Sequence, residues 1–146
     1  MSDVIEGPTG LDRVRAMLAS GGQPPIGRTL DFALVEVEEG RAVFEGIPGE
    51  HAYNPMGQIH GGYAATLLDS ACGIATASKL SAVQSFTTLE LKVAYHRAMD
   101  ADTGLVRAEG VVTVFGRRIA YAEAKLTDAA GRLLASATST LMVLSQ

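Results

Sequence analysis

The chain has 146 residues, 47% apolar and 19% charged, with a net charge of −4. It is long enough for one hydrophobic core and too apolar to stay disordered. It has no polybasic run to suit nucleic acid, and its single cysteine, Cys72, cannot form an internal disulfide, which points to a reducing, cytoplasmic setting. The opening "MSDVIEGPTG" lacks the basic and apolar regions of a secretion signal. Residues 51–68 form the longest stretch free of Asp, Glu, Lys and Arg, but they contain Asn, Pro, Gly and His and do not read as a membrane span.

In chain order, "LDRVRAMLAS" places Leu11, Val14 and Leu18 on one stripe and ends at a glycine pair, the pattern of a short amphipathic helix. "QPP" reads as a rigid connector. Residues 28–48 alternate and break at "EEG", which predicts a hairpin, and residues 50–60 read as loop. Residues 61–80, "GGYAATLLDSACGIATASKL", are rich in alanine and apolar nearly all round, which predicts a buried helix of about five turns. Three or four long strands follow. In the first, Leu89, Leu91, Val93 and Tyr95 alternate with Thr88, Glu90, Lys92 and Ala94; the last two are joined by the turn "DAAG". Strands in a run, rather than alternating with helices, argue for an α+β fold with an antiparallel sheet wrapped around the central helix.

Chemistry concentrates where loop meets helix, in "NPMGQIHGG", residues 54–62. A helix that begins near Gly61 presents unpaired N–H groups at the positive end of its dipole, and glycine lets a ligand approach that backbone closely. Such a terminus suits an oxygen that becomes an oxyanion, with His60 as a further donor. Steric relief for Gly61 and Gly62, and helix capping for His60, are the alternatives. Asp69 lies on the same helix among Leu67, Leu68, Ala71 and Cys72, where a carboxylate must be paired, protonated or useful. Nine residues separate it from His60, roughly 900° of rotation and about 13 Å of rise. The two side chains therefore cannot converge within one subunit, and a site that uses both is shared between two copies. Cys72 has no histidine partner and reads as a small core residue; Ser70 lacks a nucleophile elbow.

The stretch N-P-x-G-x-x-H-G-G-x-x-x-x-L-x-D, here "NPMGQIHGGYAATLLD", resembles the active-site segment of hotdog-fold acyl-CoA thioesterases of the phenylacetate-degradation type, within the 4-hydroxybenzoyl-CoA thioesterase-like superfamily. "LELKVAYHRAM" and "GRRIAYAEAKLTDAAGRLLASATSTLMVL" are similar to that family's strands, so the likeness runs from about residue 27 to residue 144. It implies a hotdog domain over residues 27–146, preceded by a helix and connector over residues 1–26. It also implies hydrolysis of an acyl-CoA thioester. Asp69 is then general base or nucleophile, Gly61 and His60 hold the oxyanion, and Asn54 and Thr88 orient water and substrate. Arg97, Gly116, Arg117 and Arg118 are implied as contacts of coenzyme A, whose phosphates suit arginine.

The resemblance further implies a homodimer with shared sites, assembled as a homotetramer. No metal or bound cofactor is implied; coenzyme A enters as part of the substrate. Asn54 also fits an ordinary Asx-turn and Thr88 an ordinary strand residue. Ala98 departs from the family, which has a proline there. The acyl group stays open between aryl and medium-chain types, with Tyr63 and Phe86 expected in its pocket. Two rival readings are a 3-hydroxyacyl-CoA hydratase or dehydratase and a non-catalytic acyl-CoA-binding protein.

Overall fold

The computed structural model describes residues 7–145, so most of the opening segment read for a secretion signal lies outside it. The elements are α1 (Gly10–Ala19), α2 (Pro25–Leu30), β1 (Phe32–Glu38), β2 (Arg41–Gly46), α3 (Gly61–Ala77), β3 (Gln84–Tyr95), β4 (Val106–Phe115), β5 (Ile119–Asp128) and β6 (Leu133–Ser145), with a 3₁₀ turn at Glu50–Ala52. The strands form one antiparallel sheet in the order β1-β2-β4-β5-β6-β3, and every strand contacts α3. This is the hotdog arrangement. Among the described residues no helix is long and apolar enough to cross a membrane.

The burial of α3 follows from its composition. Leu67, Leu68, Ala71, Cys72 and Ala75 are inaccessible, and they face a sheet lined by Phe44, Val106, Ala108, Ala120, Leu126 and Leu141. Small residues on both sides allow close approach. At Gly110 of β4 a Cβ would overlap the backbone carbonyl of Ala71, so only glycine lets this strand cross beneath the helix.

Two expectations need correction at the N-terminal side. Only Gln23 and Pro24 of "QPP" connect: Pro25 opens the short helix α2, with its fixed φ suited to a first helical position and its missing N–H harmless there. Residues 28–30 therefore belong to that helix, and the hairpin begins only at Phe32, after Asp31 takes a left-handed conformation that ends α2. The helix predicted over residues 11–20 is α1. Thr9 caps it through a reciprocal pair with Asp12, and the Gly10 N–H donates to the Leu80 carbonyl at 2.9 Å, which ties it to the chain just after α3.

A third correction concerns β3. Simple alternation puts Leu89 with Leu91, Val93 and Tyr95 on one face and Thr88 on the other. In the structure the register with β6 slips between Thr88 and Glu90, leaving Leu89 as an extra residue. Leu89 is 53% exposed, whereas Phe86, Leu91 and Val93 pack against the core. The bulge reverses the side-chain phase, so Thr88 and Tyr95, seven positions apart, both reach α3.

Candidate active site

The sequence-identified residues fall into two groups along α3. The first surrounds its N-terminus. His60 is the N-cap, and its Nδ1 accepts the Gly62 N–H at 2.7 Å. The Gly61 N–H has no acceptor among the described residues. Tyr95 Oη donates to the Gly61 carbonyl at 2.7 Å, and its ring lies so close that a Cβ on residue 61 would sit 3.0 Å from that oxygen. Tyr95 and His60 thus hold opposite ends of one peptide unit, the carbonyl of Gly61 and the N–H of Gly62. A backbone N–H only donates, so Nδ1 is the acceptor and the neutral imidazole carries its proton on Nε2.

Two loops frame this terminus. Asn54 Oδ1 accepts from Met56 N–H at 2.9 Å and Gln58 N–H at 3.2 Å, which is the Asx-turn foreseen as an alternative; its amide NH₂ has no acceptor among the described residues. The loop after β3 joins it: the Ile59 N–H donates to the Met99 carbonyl at 2.8 Å, and the Ala101 N–H to Tyr53 Oη at 2.9 Å. Between the loops lies a groove of about 320 Å³ lined by Gly61, Tyr95, Arg97, Ala98 and Met99 among others. Ala98 forms part of its wall.

The second group lies further along α3. Asp69 is half-buried, and Thr88 Oγ1 donates to its Oδ1 at 3.0 Å, leaving Oδ2 for another donor. The carboxylate is therefore partnered and still reachable. Cys72, close by, is fully buried, and burial followed by the Asp69 charge pushes its thiol up to about 12, which fits a packing role. Gly116, Arg117 and Arg118 form the β4–β5 turn, with the Gly116 N–H bonded to Ile119 O at 2.8 Å and both arginines exposed. Ile119 pairs with Met142, which pairs with Thr87, so this turn stands level with the Asp69–Thr88 end. Arg97 follows the opposite end of β3. One chain thus does not bring Arg97 together with Arg117 and Arg118, nor His60 and Gly61 together with Asp69. α3 runs unbroken through Gly61 and Asp69, so the helical separation expected from the sequence stands.

A family profile described as the thioesterase superfamily matches residues 56–135, more than half of the chain. The chain belongs to the thioesterase superfamily. It is a thioester hydrolase with a hotdog fold. Over 115 residues it is 29% identical to a 1,4-dihydroxy-2-naphthoyl-CoA hydrolase of Listeria monocytogenes, an alignment that covers 79% of this chain and 92% of the relative. A thioesterase family protein from Silicibacter pomeroyi has a similar structure, with TM-score 0.81, 27% identity and coverage of 94% of this chain and 99% of that one. A point mutant of the phenylacetic acid degradation protein PaaI from Thermus thermophilus is similar at TM-score 0.74 and 26% identity, covering 82% and 98%.

Two residues of the thioesterase escaped the sequence reading or were misjudged in it. Tyr95 was placed on a strand face but given no task; its reach to Gly61 depends on the bulge, which no residue type announces. Tyr63 was expected in the acyl pocket. It is instead 2% exposed, in the core, with its hydroxyl lacking a partner among the described residues. Phe86 does line a cavity. No group of three His, Cys, Asp or Glu side chains among the described residues is arranged to hold a metal ion.

Proposed function

We propose that this thioesterase hydrolyses the thioester of an aryl- or medium-chain acyl-CoA, releasing the free acid and coenzyme A, at sites shared between two copies of the chain. The observation that carries the reading is the pairing of a half-buried, reachable carboxylate, Asp69, with the Thr88 hydroxyl on the same helix whose N-terminus offers an unpartnered Gly61 N–H. The thioester oxygen lies against the Gly61 N–H of one copy, with His60 Nε2–H as a second donor. These two donors stabilise the negative charge that develops on that oxygen, and one such donor is typically worth about 10²–10³ in rate. Asp69 of the other copy takes a proton from water as the water oxygen bonds to the carbonyl carbon. The carbon–sulfur bond then breaks, and coenzyme A leaves as the thiolate. Thr88 holds one carboxylate oxygen so that the other faces the water, and the Asn54 NH₂ orients the substrate.

The sheet edge supports the shared site. β3 is a 12-residue strand paired on one side only, by β6. Long unprotected edges invite a partner strand. Antiparallel pairing of two β3 edges directs the Tyr95 end of each copy toward the Gln84–Thr88 end of the other. It thereby moves Gly61 of one toward Asp69 of the other, and Arg97 of one toward Arg117 and Arg118 of the other. The three arginines with Gly116 then hold the phosphates of coenzyme A. A second use of exposed surface, on the outer face of the sheet at Val114 and Tyr121, takes such dimers on to a tetramer. The relative named for naphthoyl-CoA hydrolysis and the structural neighbour named for phenylacetic acid degradation support an aryl acyl group.

The deciding assay follows thiol release from acetyl-, phenylacetyl-, octanoyl- and palmitoyl-CoA beside hydration of an enoyl-CoA. Thiol release without hydration is the expected result. Hydration without thiol release would establish the hydratase reading, and binding with neither would establish a non-catalytic acyl-CoA-binding protein.

A further inference from the structure

The free edge of β3 carries a charge pattern of its own. The His96 N–H donates to the Leu134 carbonyl on β6 at 2.8 Å, and the Glu90 carbonyl accepts the Ser139 hydroxyl at 3.1 Å. Between these points, alternation turns the N–H and C=O groups of Glu90, Lys92 and Ala94 toward β6, and those of Leu91, Val93 and Tyr95 toward the unpaired side. Side chains alternate as well: Leu91 and Val93 pack against the core, whereas Glu90 and Lys92 are exposed on the outer face. These two carry opposite charges, and neither forms an ion pair among the described residues.

We infer that Glu90 and Lys92 select the register in which a second copy of this chain pairs along β3, with the two-fold axis at Leu91. The inference rests on the reading that the site is shared across this edge. Residues directly opposite each other in an antiparallel pair lie on the same face, so the copies slide by two positions at a time, which moves the axis by one residue. Three registers centre the axis on the middle of β3. An axis at Glu90 sets Glu90 against the partner's Glu90, and an axis at Lys92 sets Lys92 against the partner's Lys92; like charges directly opposite are destabilising. The axis at Leu91 sets Glu90 against the partner's Lys92, and symmetry repeats the pair on the other side. The backbone fits this choice. At the axis the two Leu91 residues exchange their N–H and C=O bonds, and each Glu90–Lys92 pair takes the closer, non-hydrogen-bonded position beside it. With Leu89 counted as the extra residue of the bulge, Val93 stands beside the partner's Thr88 and Tyr95 beside the partner's Phe86. The two charge pairs thus align the Gly61 end of one copy with the Asp69 end of the other.

Two measurements test this. Cysteines at the two positions read the register directly, because a non-hydrogen-bonded antiparallel pair lies within disulfide reach and a slide of two residues adds about 7 Å. Glu90→Cys chains refolded together with Lys92→Cys chains are expected to form the mixed disulfide dimer, and each variant alone is expected to form none; Cys72 is buried and takes no part. A disulfide between two Glu90→Cys chains, or between two Lys92→Cys chains, without the mixed one would overturn the register and leave the shared site standing. No disulfide in any combination would overturn the proposal and count against the shared edge itself. The second measurement reverses the charges. Glu90→Lys and Lys92→Glu are each expected to raise the dimer dissociation constant about tenfold or more at low salt, since both pairs become repulsive, and the double variant, which exchanges the two charges, is expected to restore it. Folded single variants that dissociate like wild type would overturn the role of the charges.

Discussion

Asp69 and Tyr95 act on the same helix by different means. The Asp69 carboxylate is half-buried and held by a single hydroxyl, which leaves one oxygen to take a proton. Asp69→Asn keeps the size and the Thr88 hydrogen bond but removes the base. Turnover is expected to fall at least about 10²-fold with the thermal midpoint little changed; near-normal turnover in the folded variant would remove Asp69 from the mechanism. Tyr95 touches no reacting atom. It bonds the carbonyl of the peptide whose N–H holds His60 Nδ1, and so fixes the orientation of the Nε2–H donor. Tyr95→Phe retains the ring against Gly61 and deletes one hydrogen bond, worth about 1 kcal/mol, or roughly fivefold in rate if it acts fully in the transition state. The loss should fall on kcat rather than KM. Imidazole ¹⁵N shifts should report His60 as the Nε2–H tautomer in wild type and a mixture in the variant. An unchanged kcat together with an unchanged tautomer would reduce Tyr95 to a packing residue.

α3 and β3 place these groups, and each element was legible to a different depth. The helix is readable because all-round apolarity, a glycine pair at its start and small residues throughout have one physical solution, burial against a sheet. Burial also makes the helix sensitive to alkali. Cys72 ionises far less readily folded than unfolded, because burial first and the Asp69 charge second oppose the thiolate. Its contribution to stability is complete below its ordinary value of 9.0 and is lost as pH rises from there toward about 12. The thermal midpoint should therefore be flat between about pH 7 and 8.5 and fall above pH 9, and Cys72→Ala should flatten that fall. A midpoint that declines equally in both proteins would assign the alkaline loss elsewhere, with the buried Tyr63 phenol, also raised by burial, the next group to test. β3 was legible as a strand but not in its facing. Period-two alternation from Leu89 to Tyr95 looks continuous in sequence, and the extra residue at Leu89 carries no marker such as glycine or proline. The bulge lets Thr88 meet Asp69 while Tyr95 meets Gly61, where strict alternation would send them to opposite faces.

At the scale of the whole molecule, Gly61 and Asp69 stand about 12 Å apart along α3, a separation for which the proposed site draws its two ends from two chains. A shared site has a distinctive consequence. Asp69→Asn and His60→Ala proteins should each be nearly inactive, yet a dimer of one with the other contains one site with both groups intact and one with neither. Unfolding and refolding the two together gives roughly half mixed dimers if pairing is random, so about a quarter of wild-type activity should return. Mixing without subunit exchange should restore nothing. A verified mixed dimer that stays inactive would exclude the shared site, because every site within a single chain would then carry one defect.

Much of this protein is determined locally. The spacing of Asn54, His60, Gly61 and Asp69 is a property of the chain, and helical geometry turns it into a separation that holds whatever the helix packs against. The buried helix and the strand run follow from residue types and their order in the same way, and the segment "NPMGQIHGGYAATLLD" carries the resemblance to the thioesterase family. What only the tertiary structure decided are relations between elements far apart in sequence: Thr88 on Asp69, Tyr95 on Gly61, Gly110 beneath Ala71, and Arg13 of α1 on the Gln84 carbonyl. The physical reason is common to all four. Each contact depends on register or close approach between distant segments, and the β3 bulge, which turns both Thr88 and Tyr95 toward α3, adds a relation that no window of neighbouring residues contains.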